Sequence, residues 1–311
     1  MANRNYPGGW PRVPAGTCIH PWNLRNPRLM FPNPNEILRS STMPLTAIVR
    51  EVSSSINDCE LSFRSRQPID VARAIAQHKA YQDCLAKLGV RIVSLPAEPE
   101  LPDAVFVEDP AVVVNEVAII SIPGAPSRRP EISNLANVLL RYRPLKFLAE
   151  PATLDGGDVL RIGRSVFVGL SRRTNRDGID QLGHLFGSYD YQVQPVEVRG
   201  CLHLKSACSY VGHDTVLVNR SWIDAERLRG FELLDVPEEE SAAANALLLN
   251  EVVIIPASFP KTRALLEKRG FRVRTIDLSE LQKAEAGVTC ASLIFNDETM
   301  ATSPGRADEE V

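Results

Sequence analysis

Apolar runs in pairs, separated by two polar or glycine residues, recur along the chain and predict β-hairpins. Four such hairpins are predicted, at residues 111–121, 159–170, 209–218 and 247–256. Their turn centres, Asn115, Gly163, Gly212 and Asn250, lie 48, 49 and 38 residues apart. Repetition at an interval of this size is typical of proteins built from a repeated supersecondary unit.

Helical and further strand patterns fill the intervals between the hairpins. Apolar residues at spacings of three and four predict helices, and β-branched runs predict the strands that follow. The clearest segments are helical residues 132–139 and 179–186 and strand residues 193–198 and 273–276. Before the first hairpin, residues 70–88 form a predicted helix, with Asp70 as its N-cap and Gly89 as its stop.

The last predicted strand, residues 288–295, is expected to pair with the first, residues 45–52. This pairing raises the number of strand-and-helix units to five. Each unit has an apolar face that it cannot bury alone, and a closed ring leaves no free terminal edge. The predicted fold class is therefore α/β, with a cyclic, pseudo-symmetric array of about five units; a doubly wound parallel sheet is the alternative.

Residues 1–42 differ from the rest of the chain and are predicted to be an extended, proline-rich arm. Seven of the 23 prolines lie within residues 1–40, so no helix or strand of useful length fits there. Five arginines and one glutamate in this stretch resemble a transit peptide, but the prolines are incompatible with the amphipathic helix that such a peptide needs. Residues 43–296 are predicted to be a single domain and residues 297–311 a polar tail.

The composition argues against several function classes. Lys plus Arg number 35 and Asp plus Glu 38, a net charge of −3, which argues against binding to a nucleic-acid backbone. No apolar stretch approaches the roughly 18 residues of a membrane span, and the amino terminus lacks the apolar core of a signal peptide. The six cysteines are scattered without metal-ligand spacing, so we expect reduced thiols and a cytoplasmic protein.

Polar residues with catalytic potential recur at the start of successive units. Glu108 and Asp109 precede the first hairpin, Asp155 and Asp158 flank two glycines before the second, His203 precedes the third, and Cys290 lies in the closing strand. Because equivalent positions of a pseudo-symmetric ring face one axis, we expect these side chains to converge. A thiol becomes a nucleophile beside a histidine that stabilises the thiolate, and the histidine needs an acidic partner for its orientation.

Each of these residues alone also has a purely structural explanation. His203 is then a satisfied core histidine and Cys290 a buried strand thiol. Asp155 and Asp158 are then turn residues that cap backbone amides, with the glycines between them supplying positive φ angles. Asp103, directly after a proline, then only ends a loop. The shared register of the set favours the catalytic interpretation.

Five short sequence runs carry a family resemblance. They are LPDAVFVED at 101–109, PGAPSRR at 123–129, LDGGDVL at 154–160, LHLKS at 202–206 and GVTC at 287–290. Together they resemble the dimethylarginine dimethylaminohydrolases, of the guanidine-modifying superfamily that also contains arginine deiminases and amidinotransferases. The resemblance extends from about residue 45 to about residue 295, in the family's order and at similar spacing. It implies a five-bladed α/β propeller, in agreement with the number of repeats.

The resemblance implies a role for each candidate residue. Cys290 corresponds to the nucleophile, His203 to the general acid and base, and Asp155 to a partner of His203 or of the substrate guanidinium. The implied substrate-binding set is Glu108 and Asp109 at the guanidinium, Arg128 and Arg173 at the α-carboxylate, and Asp103 and the Leu61 carbonyl group at the α-amino group. Leu61 lies in residues 57–67, where the family has a mobile lid. An amino acid with a guanidinium tail indeed needs carboxylates at one end and arginines at the other.

The implied reaction is hydrolysis of asymmetric dimethyl- or monomethyl-L-arginine to L-citrulline and dimethylamine or methylamine. It passes through a covalent S-alkylthiouronium intermediate on Cys290. The implied partner is this small molecule, and neither a metal nor an organic cofactor is required, although zinc captured by Cys290 and His203 would inhibit. No nucleic-acid or membrane partner is expected, and a homodimer is left open.

Related and unrelated alternatives remain. An arginine deiminase or an amidinotransferase would use the same nucleophile and base, whereas an agmatine deiminase has no need of Arg128 and Arg173. A non-catalytic protein that binds arginine derivatives is disfavoured, because a pure binder has no use for Cys290. Glu285 stands where many family members have Asp, and its role is open.

Overall fold

The computed structural model describes residues 44–297, which form five three-stranded sheets and five α-helices. The strands are β1 (Leu45–Arg50), β2 (Val90–Leu95), β3 (Ala111–Val113), β4 (Ala118–Ile120), β5 (Leu145–Phe147), β6 (Val159–Ile162), β7 (Ser165–Leu170), β8 (Gln192–Glu197), β9 (Cys208–Gly212), β10 (Thr215–Val218), β11 (Glu232–Asp235), β12 (Leu247–Leu249), β13 (Val252–Pro256), β14 (Arg272–Ile276) and β15 (Leu293–Asn296). The helices are α1 (Val71–Lys87), α2 (Ile132–Leu139), α3 (Arg176–Gly187), α4 (Leu204–Ala207) and α5 (Pro260–Lys268). The predicted arm 1–42 and, apart from Asp297, the predicted tail 297–311 lie outside the described residues.

Each sheet combines one antiparallel pair with one parallel strand. In the second sheet, β3 and β4 form the predicted hairpin with Ala111 opposite Ile120, and β5 lies parallel to β4. The sheets β6–β7–β8, β9–β10–β11 and β12–β13–β14 repeat this order. All four predicted hairpins are confirmed, and the division into five separate sheets excludes the doubly wound alternative.

The first sheet closes the ring, because its antiparallel partner comes from the other end of the described chain. Strand β15 runs antiparallel to β1, with Leu45 opposite Asn296 and Ile48 opposite Leu293. Strand β2 lies parallel to β1 on the other side. The predicted pairing of the first and last strands is confirmed, and it covers an edge of β1 that would otherwise be free.

The last strand is shorter than predicted, and Cys290 does not lie in it. Residues 288–291 are turns, and β15 begins only after them. In this segment a side chain bonds to the backbone: Tyr81 Oη donates a hydrogen bond to the Val288 carbonyl oxygen at 2.7 Å. A carbonyl group bonded in this way has less capacity for a strand ladder. Cys290 is therefore presented on a turn rather than on a strand.

Alternate residues of the central strands pack into different interfaces between sheets. On β7, Val166 and Val168 face the apolar cluster shared with the second sheet, whereas Phe167 faces the cluster shared with the fourth. The described residues form five such clusters, one between each pair of neighbouring sheets, and the cluster of Ala47 and Ile254 joins the first sheet to the fifth. Both faces of a central strand are thus buried, which explains the uninterrupted apolar runs in the sequence.

Helix α1 begins and ends where the sequence predicts. The Asp70 side chain accepts a hydrogen bond from the Arg73 amide at 3.0 Å, as expected of an N-cap. Gly89 adopts a left-handed φ of 85° just after the last turn. Between these ends, Tyr81 and Leu85 are fully buried in the cluster of the first sheet.

The fourth unit departs from the repeat. A 3₁₀ turn, Ala225–Leu228, stands between β10 and β11 in place of an α-helix. This shorter connection accounts for the 38-residue interval between the last two turn centres.

Five of the six cysteines fall within the described residues, and all five are free thiols: Cys59, Cys84, Cys201, Cys208 and Cys290. Four of them are buried and behave as small apolar side chains, as expected, while Cys290 keeps some exposure. Among residues 44–297, the structure has no helix of the length and apolar character that a membrane crossing requires.

A substitution at Ile254 tests the packing between the fifth and first sheets. Its side chain is fully buried there, whereas Leu140, at the end of α2, is 64% exposed. We expect Ile254→Ala to lower the free energy of unfolding by about 2–5 kcal/mol, because it removes buried methyl groups and leaves a cavity. Leu140→Ala is the control and should change it by less than about 0.5 kcal/mol. Urea denaturation measures both, and equal losses would contradict the closed packing.

Candidate active site

His203 lies directly before helix α4, and its imidazole contacts carboxylates from two other units. Nε2 is 3.0 Å from Asp155 Oδ2, and Nδ1 is 3.9 Å from Asp109 Oδ1. Asp109 precedes β3 of the second sheet and Asp155 precedes β6 of the third. His203 is only 4% exposed. The structure thus brings together three side chains that the repeat register predicts to converge.

The carboxylates set the charge of the imidazole. Burial alone would lower the pKa of His203, but the charge of Asp109, the hydrogen bond with Asp155 and the charge of Asp158 outweigh it and raise the pKa to about 9. The ring is therefore protonated at neutral pH. Burial likewise opposes ionisation of Asp109, yet the charges of His203 and Arg128 lower its pKa to about 2. An ion pair of imidazolium and carboxylate results in the interior.

The two glycines between Asp155 and Asp158 serve close approach, not positive φ angles. Neither Gly156 nor Gly157 has a positive φ, so the turn explanation from the sequence is wrong on this point. A Cβ atom on Gly156 would lie 2.0 Å from the Glu108 carbonyl oxygen, and one on Gly157 would lie 2.5 Å from His203 Nδ1. Any side chain here would push the second sheet or the imidazole away from the third.

Asp158 supports the backbone next to His203. It is fully buried, and its Oδ1 accepts a hydrogen bond from the Leu204 amide at 2.8 Å. Its Oδ2 accepts hydrogen bonds from the hydroxyl groups of Ser171 at 2.6 Å and Thr174 at 2.7 Å. Burial raises the pKa of Asp158 to about 6, against the charge of His203 and these hydrogen bonds. Asp158 thereby fixes the start of α4, which presents the imidazole.

Cys290 lies on the turn before β15, next to Glu108. Its sulfur accepts a hydrogen bond from the Gly287 amide at 3.3 Å, and its carbonyl oxygen accepts one from the Glu108 amide at 3.3 Å. Burial raises the pKa of the Cys290 thiol to about 12, and the charges of Glu108 and Asp109 act in the same direction. The thiol is therefore uncharged at neutral pH unless a positive charge binds nearby.

Glu108 connects the turn of the thiol with the helix of the imidazole. Its carboxylate accepts a hydrogen bond from Thr289 Oγ1 at 2.8 Å and forms an ion pair with Lys205, two residues after His203. Burial raises the pKa of Glu108, and the charge of Lys205 opposes this shift. Glu108 thus bonds both to Thr289, the neighbour of Cys290, and to Lys205, two residues after His203.

Arg128 is buried, and the protein takes up most of its donors. Nε and Nη2 donate to the two carboxylate oxygens of Glu131 at 3.0 and 2.9 Å. Nη1 donates to Asp109 at 2.5 Å, and Nη2 also donates to the Phe106 carbonyl oxygen at 3.0 Å. Within the described residues this leaves one Nη1 hydrogen for a ligand. The sequence reasoning missed Glu131, although its position three residues after Arg128, on the turn Pro126–Glu131, could have revealed the pair.

Arg173 keeps more of its donors for a ligand. Nη1 lies 3.7 Å from Asp155 Oδ2 and Nη2 lies 3.4 Å from Ser62 Oγ, both at or beyond the limit of a hydrogen bond. The backbone of Arg173 packs on Gly124, where a Cβ atom would lie 2.3 Å from the Arg173 carbonyl oxygen. The Gly124 amide donates to Asp155 at 2.8 Å. The loops that carry Arg128 and Arg173 therefore meet at Asp155.

Asp103 holds the segment that contains Leu61. Its Oδ2 accepts a hydrogen bond from the amide of Glu60 at 3.0 Å, and Leu61 is the next residue. The Glu60 carboxylate in turn accepts a hydrogen bond from the Ser127 hydroxyl group, beside Arg128. Burial raises the pKa of Asp103, and the charge of Arg128 opposes the shift.

Contacts and chain neighbours together connect every site residue that the family resemblance implies, with Leu61 joined only through its neighbour Glu60. The members of this set are Leu61, Asp103, Glu108, Asp109, Arg128, Asp155, Arg173, His203 and Cys290. The set has carboxylates beside the imidazole and thiol, and two arginines. Arg128 bonds Asp109, and Arg173 lies near Asp155 on one side and Ser62, of residues 57–67, on the other. A ligand that is positive at one end and carries a carboxylate at the other matches this distribution of charge.

Asp109, Asp155 and His203 offer three potential ligand atoms within 4.8 Å of one another, so this group could hold a metal ion. A ligating histidine must be neutral, however, and the carboxylates favour the protonated imidazole. The inhibitory zinc ion at Cys290 stays a prediction.

Comparison with known proteins agrees with the geometry. Residues 44–294 match the model of the family described as N,N dimethylarginine dimethylhydrolase, eukaryotic. The chain is 36% identical over 250 residues to N(G),N(G)-dimethylarginine dimethylaminohydrolase of Pseudomonas aeruginosa, which covers 80% of this chain and 98% of the relative. It is 37% identical over 248 residues to the protein of the same name from Streptomyces coelicolor, covering 79% and 95%.

A solved structure of the Pseudomonas aeruginosa protein, a cysteine-to-serine mutant in complex with citrulline, has the same fold. It superposes with a TM-score of 0.77 at 34% identity, over 81% of this chain and 99% of that chain. Residues 44–294 contain the whole candidate site and all five sheets except the last two residues of β15. This chain therefore belongs to the dimethylarginine dimethylaminohydrolase family.

Proposed function

We propose that this chain hydrolyses asymmetric dimethyl-L-arginine or monomethyl-L-arginine to L-citrulline and dimethylamine or methylamine. The observation that carries the proposal is the link between a carboxylate-bound imidazole, His203, and a thiol, Cys290, through Glu108 and the adjacent Asp109. The relatives from Pseudomonas aeruginosa and Streptomyces coelicolor carry the name of this activity, and the first was solved with citrulline bound.

The guanidinium end of the substrate binds at the carboxylates. Asp109 and Asp155 are buried beside His203, and Glu108 lies beside Cys290. A planar guanidinium cation can bond carboxylates in pairs and offsets their charge. In this proposal the central guanidinium carbon lies next to the thiol of Cys290.

The amino acid end of the substrate binds at the arginines and under the lid. The α-carboxylate binds Arg173, whose N–H donors have only long contacts within the protein, and the remaining Nη1 hydrogen of Arg128. Asp103 and the Leu61 carbonyl group accept hydrogen bonds from the α-amino group. Because Asp103 also accepts from the Glu60 amide, it holds the lid segment and the substrate together.

The first half of the reaction forms a carbon–sulfur bond. The bound cation offsets the charges of Glu108 and Asp109, so the pKa of Cys290 falls and the thiol releases its proton to solvent water. The thiolate attacks the guanidinium carbon. Protonated His203 gives its proton to the departing nitrogen, the carbon–nitrogen bond breaks, and the amine leaves neutral. An S-alkylthiouronium group remains on Cys290.

The second half of the reaction is hydrolysis. His203, now neutral, takes a proton from a water molecule whose oxygen attacks the thiouronium carbon. The carbon–sulfur bond breaks and the sulfur leaves as a thiolate. The thiolate takes up the second proton of the former water molecule, and neutral citrulline is released. Asp155 keeps the imidazole in one orientation through both steps, because its Oδ2 is bonded to Nε2. None of these steps draws on a metal or an organic cofactor.

The reaction requires one partner, the small-molecule substrate. A cytoplasmic location belongs to the proposal, because the nucleophile must stay a reduced thiol and the five described cysteines are free. A homodimer and the exclusion of nucleic-acid and membrane partners stay predictions.

A substrate panel tests the proposed function. Purified protein and its Cys290→Ser variant are incubated separately with asymmetric dimethylarginine, arginine and agmatine, and citrulline or carbamoylputrescine is measured against the amine released. We expect strong citrulline formation from dimethylarginine alone, and only with the thiol present. Strong turnover of arginine would move the assignment to a deiminase, and no turnover of any of the three substrates would favour a binding protein.

His203→Ala separates proton transfer from substrate binding. We expect kcat to fall by about 10² to 10⁴, the usual contribution of a general acid and base, because no proton reaches the leaving amine. The affinity for dimethylarginine, measured by calorimetry on the Cys290→Ser background, should change little. His184→Ala is the control, since His184 is exposed on helix α3. Unchanged turnover in His203→Ala would refute the assigned role.

A further inference from the structure

Glu285 has no part in the proposed reaction, yet its carboxylate bonds to the lid, residues 57–67. It accepts hydrogen bonds from three successive backbone amides: Ser62 at 3.1 Å, Phe63 at 2.6 Å and Arg64 at 2.6 Å. Successive N–H groups that converge on one anion form a nest, and each of these bonds is charge-assisted. A single side chain thus bonds three consecutive residues of the lid.

The side-chain contacts of this part of the lid are weaker. Phe63 is 42% exposed, with the Arg172 guanidinium carbon 5.2 Å from its ring centre, and Ser62 Oγ lies 3.4 Å from Arg173 Nη2. An exposed cation–π contact and a long hydrogen bond contribute little. Within the described residues, the Glu285 carboxylate is therefore the main anchor of this part of the lid.

The backbone of Glu285 adopts a conformation that favours glycine. It has φ 61° and ψ 13°, directly after the 3₁₀ turn Leu281–Ala284. Left-handed non-glycine residues persist where the surrounding structure holds them, often at functional sites. Two residues further on, the Gly287 amide donates to the Cys290 sulfur. One turn therefore carries both the lid anchor and a hydrogen-bond donor to the proposed nucleophile.

We propose that Glu285 is a positioning residue that fastens the lid in its closed position over the candidate active site. Closure holds the Leu61 carbonyl group, and Ser62 beside Arg173, at the amino acid end of the substrate. The catalytic consequence rests on the proposed function, whereas the anchoring of the lid does not. Loss of the carboxylate opens the lid and weakens substrate capture, while the chemistry at Cys290 stays largely intact.

Trypsin cleavage after Arg64, an exposed residue of the lid, reports lid opening without any substrate. Glu285→Gly removes the carboxylate and suits the left-handed backbone, and Glu285→Gln keeps the shape without the charge. Glu251→Gly is the matched control, because exposed Glu251 has a similar φ of 63° but lies in the turn between β12 and β13. Mass spectrometry quantifies the fragment that begins at Ser65, and thermal melting confirms that each variant is folded.

We expect cleavage after Arg64 to be at least about tenfold faster in Glu285→Gly than in the unaltered protein, since one hydrogen bond to a charged group is of this order. Glu285→Gln should fall between the two, because its amide oxygen still accepts a hydrogen bond but carries no charge. Glu251→Gly should match the unaltered protein. Equal cleavage of the unaltered protein and both Glu285 variants would overturn the proposal.

Steady-state kinetics with asymmetric dimethylarginine test the positioning role. In Glu285→Gly, KM should rise about tenfold while kcat stays within about threefold, because the lost contacts act on capture rather than on bond breaking. A fall in kcat at unchanged KM would overturn this role. If the unaltered protein turns over none of the three substrates, the proposed function fails, and the cleavage rates still decide whether Glu285 anchors the lid.

Discussion

The imidazole of His203 and the carboxylates of Asp109 and Asp155 belong to three different units and meet where little of them reaches water. Charges in such a place are tolerated only when they are paired and hydrogen-bonded. Asp109 is bonded to Arg128 and lies beside His203, and Glu108 is paired with Lys205. Each pair joins residues of different loops, so these ion pairs link neighbouring units of the fold.

The same excess of acidic groups shifts two pKa values in directions that suit the proposed chemistry. It makes His203 a proton donor at neutral pH, and together with burial it keeps Cys290 an uncharged thiol. A cationic ligand beside Glu108 and Asp109 offsets their charges and so lowers the pKa of Cys290. In the proposed reaction, Cys290 therefore becomes reactive when a guanidinium is bound.

Much of the fold can be predicted from the repeated pattern of apolar and polar residues along the chain. Apolar pairs around Gly163 and Asn250, and the cap and stop of α1 at Asp70 and Gly89, predict elements that the structure contains, because these signals act over a few residues. The pairing of the first and last strands is also predictable. Units that cannot bury their apolar faces alone form a closed ring, and a closed ring needs such a pair of strands. The turn at Cys290 does not follow from such local signals, because a contact between residues far apart in the chain, Tyr81 and Val288, forms there. The sequence patterns do not predict the missing helix of the fourth unit, although the 38-residue interval there is shorter than the others.

The candidate site is predictable in part. The register of the units brings Asp109, Asp155 and His203 together, but their individual roles come from the family resemblance. The repeated pattern does not predict the contact of Glu131 with Arg128 or that of Glu285 with the lid. The second of these joins positions 223 apart in the chain, and no periodic signal encodes such a contact.

The protonation state of His203 is the most direct test of this arrangement of charges. Imidazole resonances of isotope-labelled protein, assigned with the His203→Ala variant, can be followed through a pH titration by NMR. The ring should be protonated at pH 7, with a midpoint near 9. A midpoint at or below the ordinary value of about 6.5 would show a neutral imidazole and contradict the ion pair on which the proposed proton transfer depends.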